Sequence, residues 1–407
     1  MQKVLISGAS VAGPVLAYWL RQYGFRPTVV ERTSAGRHGL GGHAVDLFAA
    51  AVEITARMGL ADRIHEARTR TRWLSMERYG KPPVDVDLDK LSAGLSDQHV
   101  EILRGELTSI LYDATRAGVD YRFGDSIASL HDDGDGVDVT FEQAPPERFD
   151  LVIGADGMHS TVRRLVFGPE QQFRRPLGGY LGVYSLPNSF GLDNRMLTHL
   201  SVDRLVGVYG VHQTGQARAT FLFRTKEELG DDHRDKERQK QLLRDQFRGH
   251  GWKVPQLLEH LDAADDFYFD SITQITLEDW HRGRVALVGD AGFCPGPAVG
   301  GGTSLAVVSA YVLAGELAAA RSDLLSGLRN YQRQVRDVVQ QSRRIGPKLM
   351  RSIIPASPTA VRLTPAATAV LIRLPERVQR FVWARSGFGK VLSSVQLPDY
   401  RDLVRTP

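Results

Sequence analysis

The sequence predicts an α/β protein: a Rossmann-like parallel layer of the dinucleotide-binding kind, an inserted and mostly antiparallel sheet, and a helical C-terminal region. Three stretches predict it. The chain opens with VLISGASVAGPVLAYWLRQYGFRPTVVER, which reads as strand, glycine-rich turn, helix and second strand closed by an acidic residue. Between residues 174 and 269, segments such as GGYLGVYSL, RLVGVYGVH and ARATFLFRT carry the period-two alternation of half-buried strands. Residues 283–306, GRVALVGDAGFCPGPAVGGGTSLA, run from an apolar strand through a glycine- and proline-rich loop into an alanine-rich helix.

Taken in order, residues 4–6 form a buried strand that leads into Gly8-Ala9-Ser10-Val11-Ala12-Gly13, a dinucleotide fingerprint whose middle glycine is Ser10. Gly8 makes the tight turn, Gly13 lets a helix over 14–23 pack on the sheet, and Ser10 still offers a hydroxyl to a phosphate. Residues 28–30 are the second strand. Glu31 then stands where a carboxylate holds the ribose hydroxyls of an adenosine and disfavours a 2′-phosphate. A glycine-rich loop over 34–46 precedes an amphipathic helix over 49–58, and alternation over 72–91 reads as half-buried strands. The apolar spacing of EILRGELTSIL, 101–111, predicts a helix. Strands follow over 119–123, 126–131 and 137–141, the last two joined by a turn at 132–136.

Residues 151–153 are a buried strand before Gly154-Ala155-Asp156-Gly157, where Asp156 is expected to hold the turn. Ser160 caps a helix over 161–167, with Arg163 on it as a partner for Asp156. The charged run 226–244 reads as a solvated helix. Residues 284–288 form a strand stopped by Gly289-Asp290, whose carboxylate is placed to accept hydrogen bonds from ligand hydroxyls. A helix over 304–321, capped by Thr303 or Ser304, follows the loop. Gly300, Gly301 and Gly302 let a flat ligand approach the backbone, and the helix N-terminus favours negative charge there. A polar helix over 325–344 is expected to end at Pro347.

In this order and at these distances, the fingerprint, DLVIGADGMHSTVR (150–163) and the Gly-Asp loop resemble the FAD-dependent aromatic (class A) monooxygenases of the para-hydroxybenzoate hydroxylase fold, over residues 1–345. The resemblance implies a discontinuous GR2-type FAD-binding domain over 1–71, 100–170 and 276–345, a substrate-binding domain over 72–99 and 171–275, and a C-terminal helical segment over 346–407. It implies tightly but non-covalently bound FAD, NADPH or NADH as a transient co-substrate, and O2, with hydroxylation through a flavin C4a-hydroperoxide. Matched to the family's motifs, Gly8, Ser10, Ala12, Gly13, Glu31, Arg32, Asp46, Arg104, Asp156, Gly157, Asp290, Pro297, Gly300, Gly301, Gly302 and Thr303 are the expected FAD contacts. Arg104 heads an Arg-x-x-Leu pattern with Leu107, and Arg37 is the candidate for meeting the nicotinamide cofactor. The catalytic contribution falls to the backbone N–H groups of Gly301, Gly302 and Thr303 around the flavin, and the fold demands no metal. Tyr180, Tyr184, His199, Tyr209, His212 and Phe293 are the candidate substrate contacts.

Two positions depart from the family pattern: Phe293 stands where many members carry His, and Gly300-Gly301-Gly302 replaces Gly-Gln-Gly. Together with His43-Ala44-Val45-Asp46-Leu47, the Cys, Pro and Thr-Ser of the loop look like members that act on polycyclic polyketides or inactivate tetracyclines. An aromatic or polycyclic substrate is therefore expected, with Baeyer–Villiger oxygenation, tetracycline-like inactivation, isoprenoid reduction and non-catalytic binding as alternatives on the same fold. Flavin halogenation is excluded, because its Trp-x-Trp-x-x-Pro motif has no counterpart among Trp19, Trp73, Trp252, Trp280 and Trp383.

Composition agrees. The 407 residues carry 42% hydrophobic and 24% charged side chains, an ordinary globular balance. The net charge of +4 is too small, and the basic residues too scattered, to suggest nucleic acid. Cys294 is the single cysteine, which leaves no internal disulfide or cysteine zinc site and suits a reducing cytoplasm. A first strand at Lys3 leaves no room for a signal peptide, and no apolar run approaches the ~20 residues of a membrane span. The expected assembly is a monomer or homodimer.

Overall fold

The strand Lys3–Ser7, with Val4 to Ser7 buried, lies inside a six-stranded sheet. It pairs in parallel with Leu151–Gly154 on one side and Arg26–Glu31 on the other. Val285–Leu287 and Asp120–Phe123 extend the sheet in parallel at its two flanks, and His281–Arg282 adds a short antiparallel edge. Such a layer is buried on both faces, which is why its strands read as continuous apolar runs. The computed structural model describes residues 1–35, 42–93, 99–230, 235–297, 301–375, 377–379 and 395–404.

The helix Gly302–Ala319 is apolar all round and packs against helices Ala12–Gln22, Ala49–Arg57 and Leu324–Ile353. It is long and apolar enough to cross a membrane, contrary to the expectation that no apolar run approaches that length. Of its span, 78% is buried inside the protein, as expected of a core helix. Its N-cap is Gly301 at φ +85°, where a side chain would be strained. The expected caps do other work or none: the Ser304 hydroxyl instead bridges the Asp46 carbonyl and the Phe48 N–H.

The second large sheet is seven-stranded, in the order Tyr268–Ile275, Arg174–Pro187, Gln216–Arg224, Arg204–Val211, Arg195–Ser201, Trp73–Arg78, Lys81–Asp87. All its pairings are antiparallel except that of Arg195–Ser201 with Trp73–Arg78. One face carries Tyr180, Tyr184, Phe221 and Phe223 beneath the helix Lys236–Phe247. The helix begins only at Lys236, behind the N-cap Asp235, rather than at 226, and it buries Leu242, Leu243 and Phe247, so it is one-sided rather than fully solvated. A three-stranded sheet, Ile127–Asp132, Val137–Phe141 and Glu147–Phe149, flanks the parallel layer.

Residues 88–91 start the short helix Leu88–Ala93 instead of continuing a strand, and two further boundaries differ from expectation for local reasons. Residues 101–103 belong to the strand Val100–Leu103, antiparallel to Ala44–Leu47, and the helix begins only at Arg104. Cross-strand pairing claims the backbone there before the helical period can. The helix Leu324–Ile353 runs straight through Pro347 and through the expected division at 345. Pro347 leaves the Arg343 carbonyl without its helical donor, and the Gln274 side chain supplies the missing hydrogen bond at 2.8 Å. The same amide donates to the Pro295 carbonyl at 3.0 Å, tying the helix to the loop after Asp290.

Candidate functional site

Between the carboxyl ends of the parallel strands and the free face of the seven-stranded sheet lies an open cleft of roughly 1830 Å3, solvent at its mouth included. Ligands of open α/β sheets bind at this kind of place, outside the carboxyl ends of the strands. On the parallel side the cleft is lined by Ser10, Val11 and Ala12, by Ala155 and Gly157, and by the loop residues Asp290, Cys294 to Pro297 and Gly301 to Thr303. His43 to Asp46, Glu101 and Arg104 form one wall. Leu181, Val183, Met196, Tyr209, Thr220, Leu222 and Tyr268 form the roof, and Leu349 and Ile353 close its end.

The turn is built by contact, not by composition alone. Gly8 has φ +108°, and a Cβ on it would lie 2.5 Å from the Ala155 carbonyl oxygen. A Cβ on Gly13 would lie 1.9 Å from the Gly8 oxygen, so only glycine lets the helix press against the turn. Glu31 accepts from the Ala9 and Thr33 N–H groups, both at 2.8 Å, and fastens the turn to the second strand. Arg104 reaches across the cleft to the Ser10 hydroxyl, with Nη2 at 3.1 Å. Asp156 is committed to the helix that follows it, accepting from the Ser160 hydroxyl at 2.5 Å and from the Thr161 and Val162 N–H groups.

Arg163 does not pair with Asp156 as expected. It is fully buried, its guanidinium donating to the Ala291 and Met158 carbonyls and to Glu170. His159 spans Glu170 and Asp270, at 3.0 and 3.1 Å, and so links the parallel layer to the seven-stranded sheet.

Burial governs the charges in the cleft. It pushes the Asp290 carboxyl upward, although Arg104 and a hydrogen bond with Cys294 oppose the shift, and it raises the Cys294 thiol and the Tyr268 phenol strongly. Burial, with the Arg104 charge added, lowers His43 to about 4, so its imidazole is neutral at physiological pH. Burial and the Asp46 charge push Glu101 up to about 7. Asp290 stands near the N-terminus of the long helix: a Cβ on Gly302 would come 3.8 Å from its Oδ1. A carboxylate, a cation and a helix N-terminus thus converge around a cradle made largely of backbone.

The FAD binding domain family matches residues 1–344. The chain belongs to the flavin-dependent monooxygenases. A flavin-dependent monooxygenase of Legionella longbeachae is 40% identical over 353 residues, covering 86% of this chain and 90% of that protein. An uncharacterised protein of Mycobacterium tuberculosis is 44% identical over 344 residues, covering 84% of this chain and 92% of that protein. The crystal structure of the tetracycline destructase Tet(55) superposes with a TM-score of 0.84 at 34% identity, covering 98% of this chain and 99% of that one. The expected family and α/β fold are therefore both established.

Among the FAD contacts expected for this monooxygenase, Ser10, Ala12, Asp46, Arg104, Gly157, Asp290, Pro297, Gly301, Gly302 and Thr303 line the cleft. Gly8, Gly13, Glu31 and Asp156 shape it from behind, and Arg32 is exposed next to Glu31. Arg37 and Gly300 lie outside the described residues.

The substrate candidates fare less well. Only Tyr209 lines the cleft. Tyr180 and Tyr184 are buried on the opposite face of the sheet, where Tyr184 donates to the Leu257 carbonyl at 2.9 Å. His199 is on that face too, stacked on Trp252. His212 is exposed in the turn after its strand. Phe293 is buried in the core, its ring centroid 4.4 Å from that of Trp280.

The error is one of strand parity. Side chains alternate between faces, so Leu181 and Val183 meet the cleft while their neighbours 180 and 184 cannot. Taking Tyr209 as the reference and counting across the ladder through Met196 would have found the right face. Glu101 and Tyr268 had no motif to announce them, and His43 stood in a matched stretch without a role of its own.

Proposed function

We propose that this flavin-dependent monooxygenase takes its electrons from NADPH or NADH, uses O2, and hydroxylates a bulky aromatic or polycyclic phenolic small molecule of the polyketide kind. The observation that carries this reading is the roof of the cleft: an apolar sheet face of Leu181, Val183, Met196 and Leu222, with Tyr209, Thr220 and Tyr268 as its few polar groups, opposite the backbone-built loops. The residues present fit FAD. The Gly8 and Gly13 contacts hold the turn tight against Ala155 and the first helix, so Ser10 to Ala12 meet the cleft as backbone and one hydroxyl, Arg104 beside Ser10 supplies the cation, and Asp290 supplies an acceptor for ligand hydroxyls.

When bound, the flavin supplies the redox and oxygen-transfer chemistry. The chain's own part is to bind, orient and exclude water. The N-terminus of Gly302–Ala319, with Gly302 and Thr303 at the cleft, would stabilise negative charge on a flavin held there. Glu31 and Asp156 hold the two turns of the cradle from behind. The apolar roof, closed by Leu349 and Ile353, keeps water from the reacting centre.

A second reading, inactivation of a tetracycline-like antibiotic, is favoured by the full-length likeness to Tet(55). A cytoplasmic site of action is supported by the lone, free and buried Cys294. The test is NADPH oxidation by the FAD-loaded protein with and without tetracycline and alizarin, with product masses recorded. Stimulation with a one-oxygen mass gain supports the proposal. Oxidation of NADPH that no phenol stimulates, or a product without added oxygen, counts against it.

A further inference from the structure

Asp46 and Glu101 are direct cross-strand partners in the antiparallel pair Ala44–Leu47 with Val100–Leu103, and both residues line the cleft. Two carboxylates opposite one another on a strand pair repel, so such a pair persists only with a proton or a cation between its members. His99 hydrogen-bonds one member, its Nε2 2.8 Å from Asp46 Oδ1; burial opposes its charge, but that bond with the Asp46 and Glu101 charges outweighs burial and raises its pKa. Glu101 is instead contacted by the Thr69 hydroxyl, which donates to Oε1. Tyr209 is a third titratable group close enough for its phenol to feel the Glu101 charge. His43 and Arg104 share the same wall of the cleft.

We infer that Glu101 is the catalytic base of this enzyme, taking the proton of a phenolic or enolic hydroxyl on the substrate held under the sheet roof. The substrate O–H bond breaks, its electron pair stays on the substrate oxygen, and the proton goes to the free carboxylate oxygen of Glu101. No electrons change hands in this step. Proton uptake by Glu101 relieves its repulsion with Asp46 across the strand pair. The resulting phenolate is the electron-rich form that an electrophilic oxygen donor needs. Burial and the Asp46 charge set Glu101 at about 7, the range in which a general base is most effective. Thr69 is a positioning residue, fixing the carboxyl through its hydroxyl and pairing its own N–H with the Glu101 carbonyl at 2.9 Å.

The inference rests on the phenol-hydroxylase reading above, and the test separates the two. Wild type, Glu101→Gln and Glu101→Asp are loaded with FAD, and 2-naphthol, a bicyclic phenol that stays neutral in free solution at this pH and whose absorption reports its ionisation, is added at about pH 8, where Glu101 is mostly ionised, in weakly buffered solution with a pH dye. In wild type, the phenolate spectrum appears with no proton released to solvent, because Glu101 keeps it. In Glu101→Gln the bound phenol either stays neutral or ionises only with release of a proton. Turnover of that variant with 2-naphthol falls by about 100-fold or more, partly restored in Glu101→Asp, at unchanged FAD content. A yellow Glu101→Gln protein with wild-type proton release and turnover overturns the assignment of the base alone. A wild-type protein that takes up no FAD overturns the monooxygenase site, and this inference with it.

Discussion

The two walls of the cleft are made in different ways. The wall next to the parallel sheet is backbone: Gly8, Gly13, Gly301 and Gly302, a helix N-terminus, and a few carboxylates that hold turns in place. The roof is side chain: alternate residues of a seven-stranded sheet, whose identities follow from strand register. A backbone wall tolerates almost no change where a Cβ would collide, whereas a side-chain wall can be repacked for a new ligand with the fold intact. The contrast explains how one scaffold keeps its cofactor side while its ligand side diverges.

The sharpest way to break this comparison is at Gly13. Even a methyl group there meets the Gly8 oxygen, so Gly13→Val is expected to cost about 3 kcal/mol or more and to yield a destabilised, colourless protein, as checked by chemical denaturation and the visible spectrum. An equally bulky change on the roof, Val183→Phe, should keep the flavin and alter only which phenols stimulate NADPH oxidation.

The seam between the walls gives the next largest effect. His159, held between Glu170 and Asp270, is raised to about 9: burial opposes its charge, but the two carboxylates outweigh burial. A histidine whose folded pKa exceeds its unfolded value of about 6.5 stabilises the fold in its protonated form. That stabilisation is complete below about pH 6.5 and is lost as the pH rises through about 9. Urea unfolding at pH 6 and pH 9 should differ by about 2 kcal/mol in wild type and much less in His159→Gln, after allowance for other groups. No difference between the two proteins would count against an ionic seam.

The smallest effect is a matched pair on the roof strands. Tyr184→Phe removes one buried hydrogen bond on the far face and should lower stability by about 1 kcal/mol without changing KM. Tyr209→Phe removes a hydroxyl from the cleft and the partner of the Ala44 N–H, and should change KM. If Tyr184→Phe moved KM and Tyr209→Phe did not, the two faces would be reversed.

The same contrast decided what the sequence revealed. Glycine turns leave motifs in the chain, so the parallel layer, the fingerprint, Arg104 and Asp290 were all legible, and ten of the expected contacts lie on one cleft. Roof residues leave only alternation, and alternation says which residues share a face without saying which face meets the ligand. Tyr180, Tyr184 and His199 were therefore chosen for their chemistry and fell on the wrong side. Pro347 misled because its rescue comes from Gln274, far away in sequence. Glu101 was hidden inside an apparent helical repeat, whose first residues form a strand.

The central claim, that the backbone-built wall holds FAD, is tested most directly by titrating FAD onto wild-type and Asp290→Ala apoprotein and following flavin fluorescence. Asp290 is half-buried at the cleft beside the loop and the helix N-terminus, and its loss should weaken FAD at least tenfold, about 1.4 kcal/mol, while the apoprotein stays folded. Equal affinity in the two proteins would contradict the account.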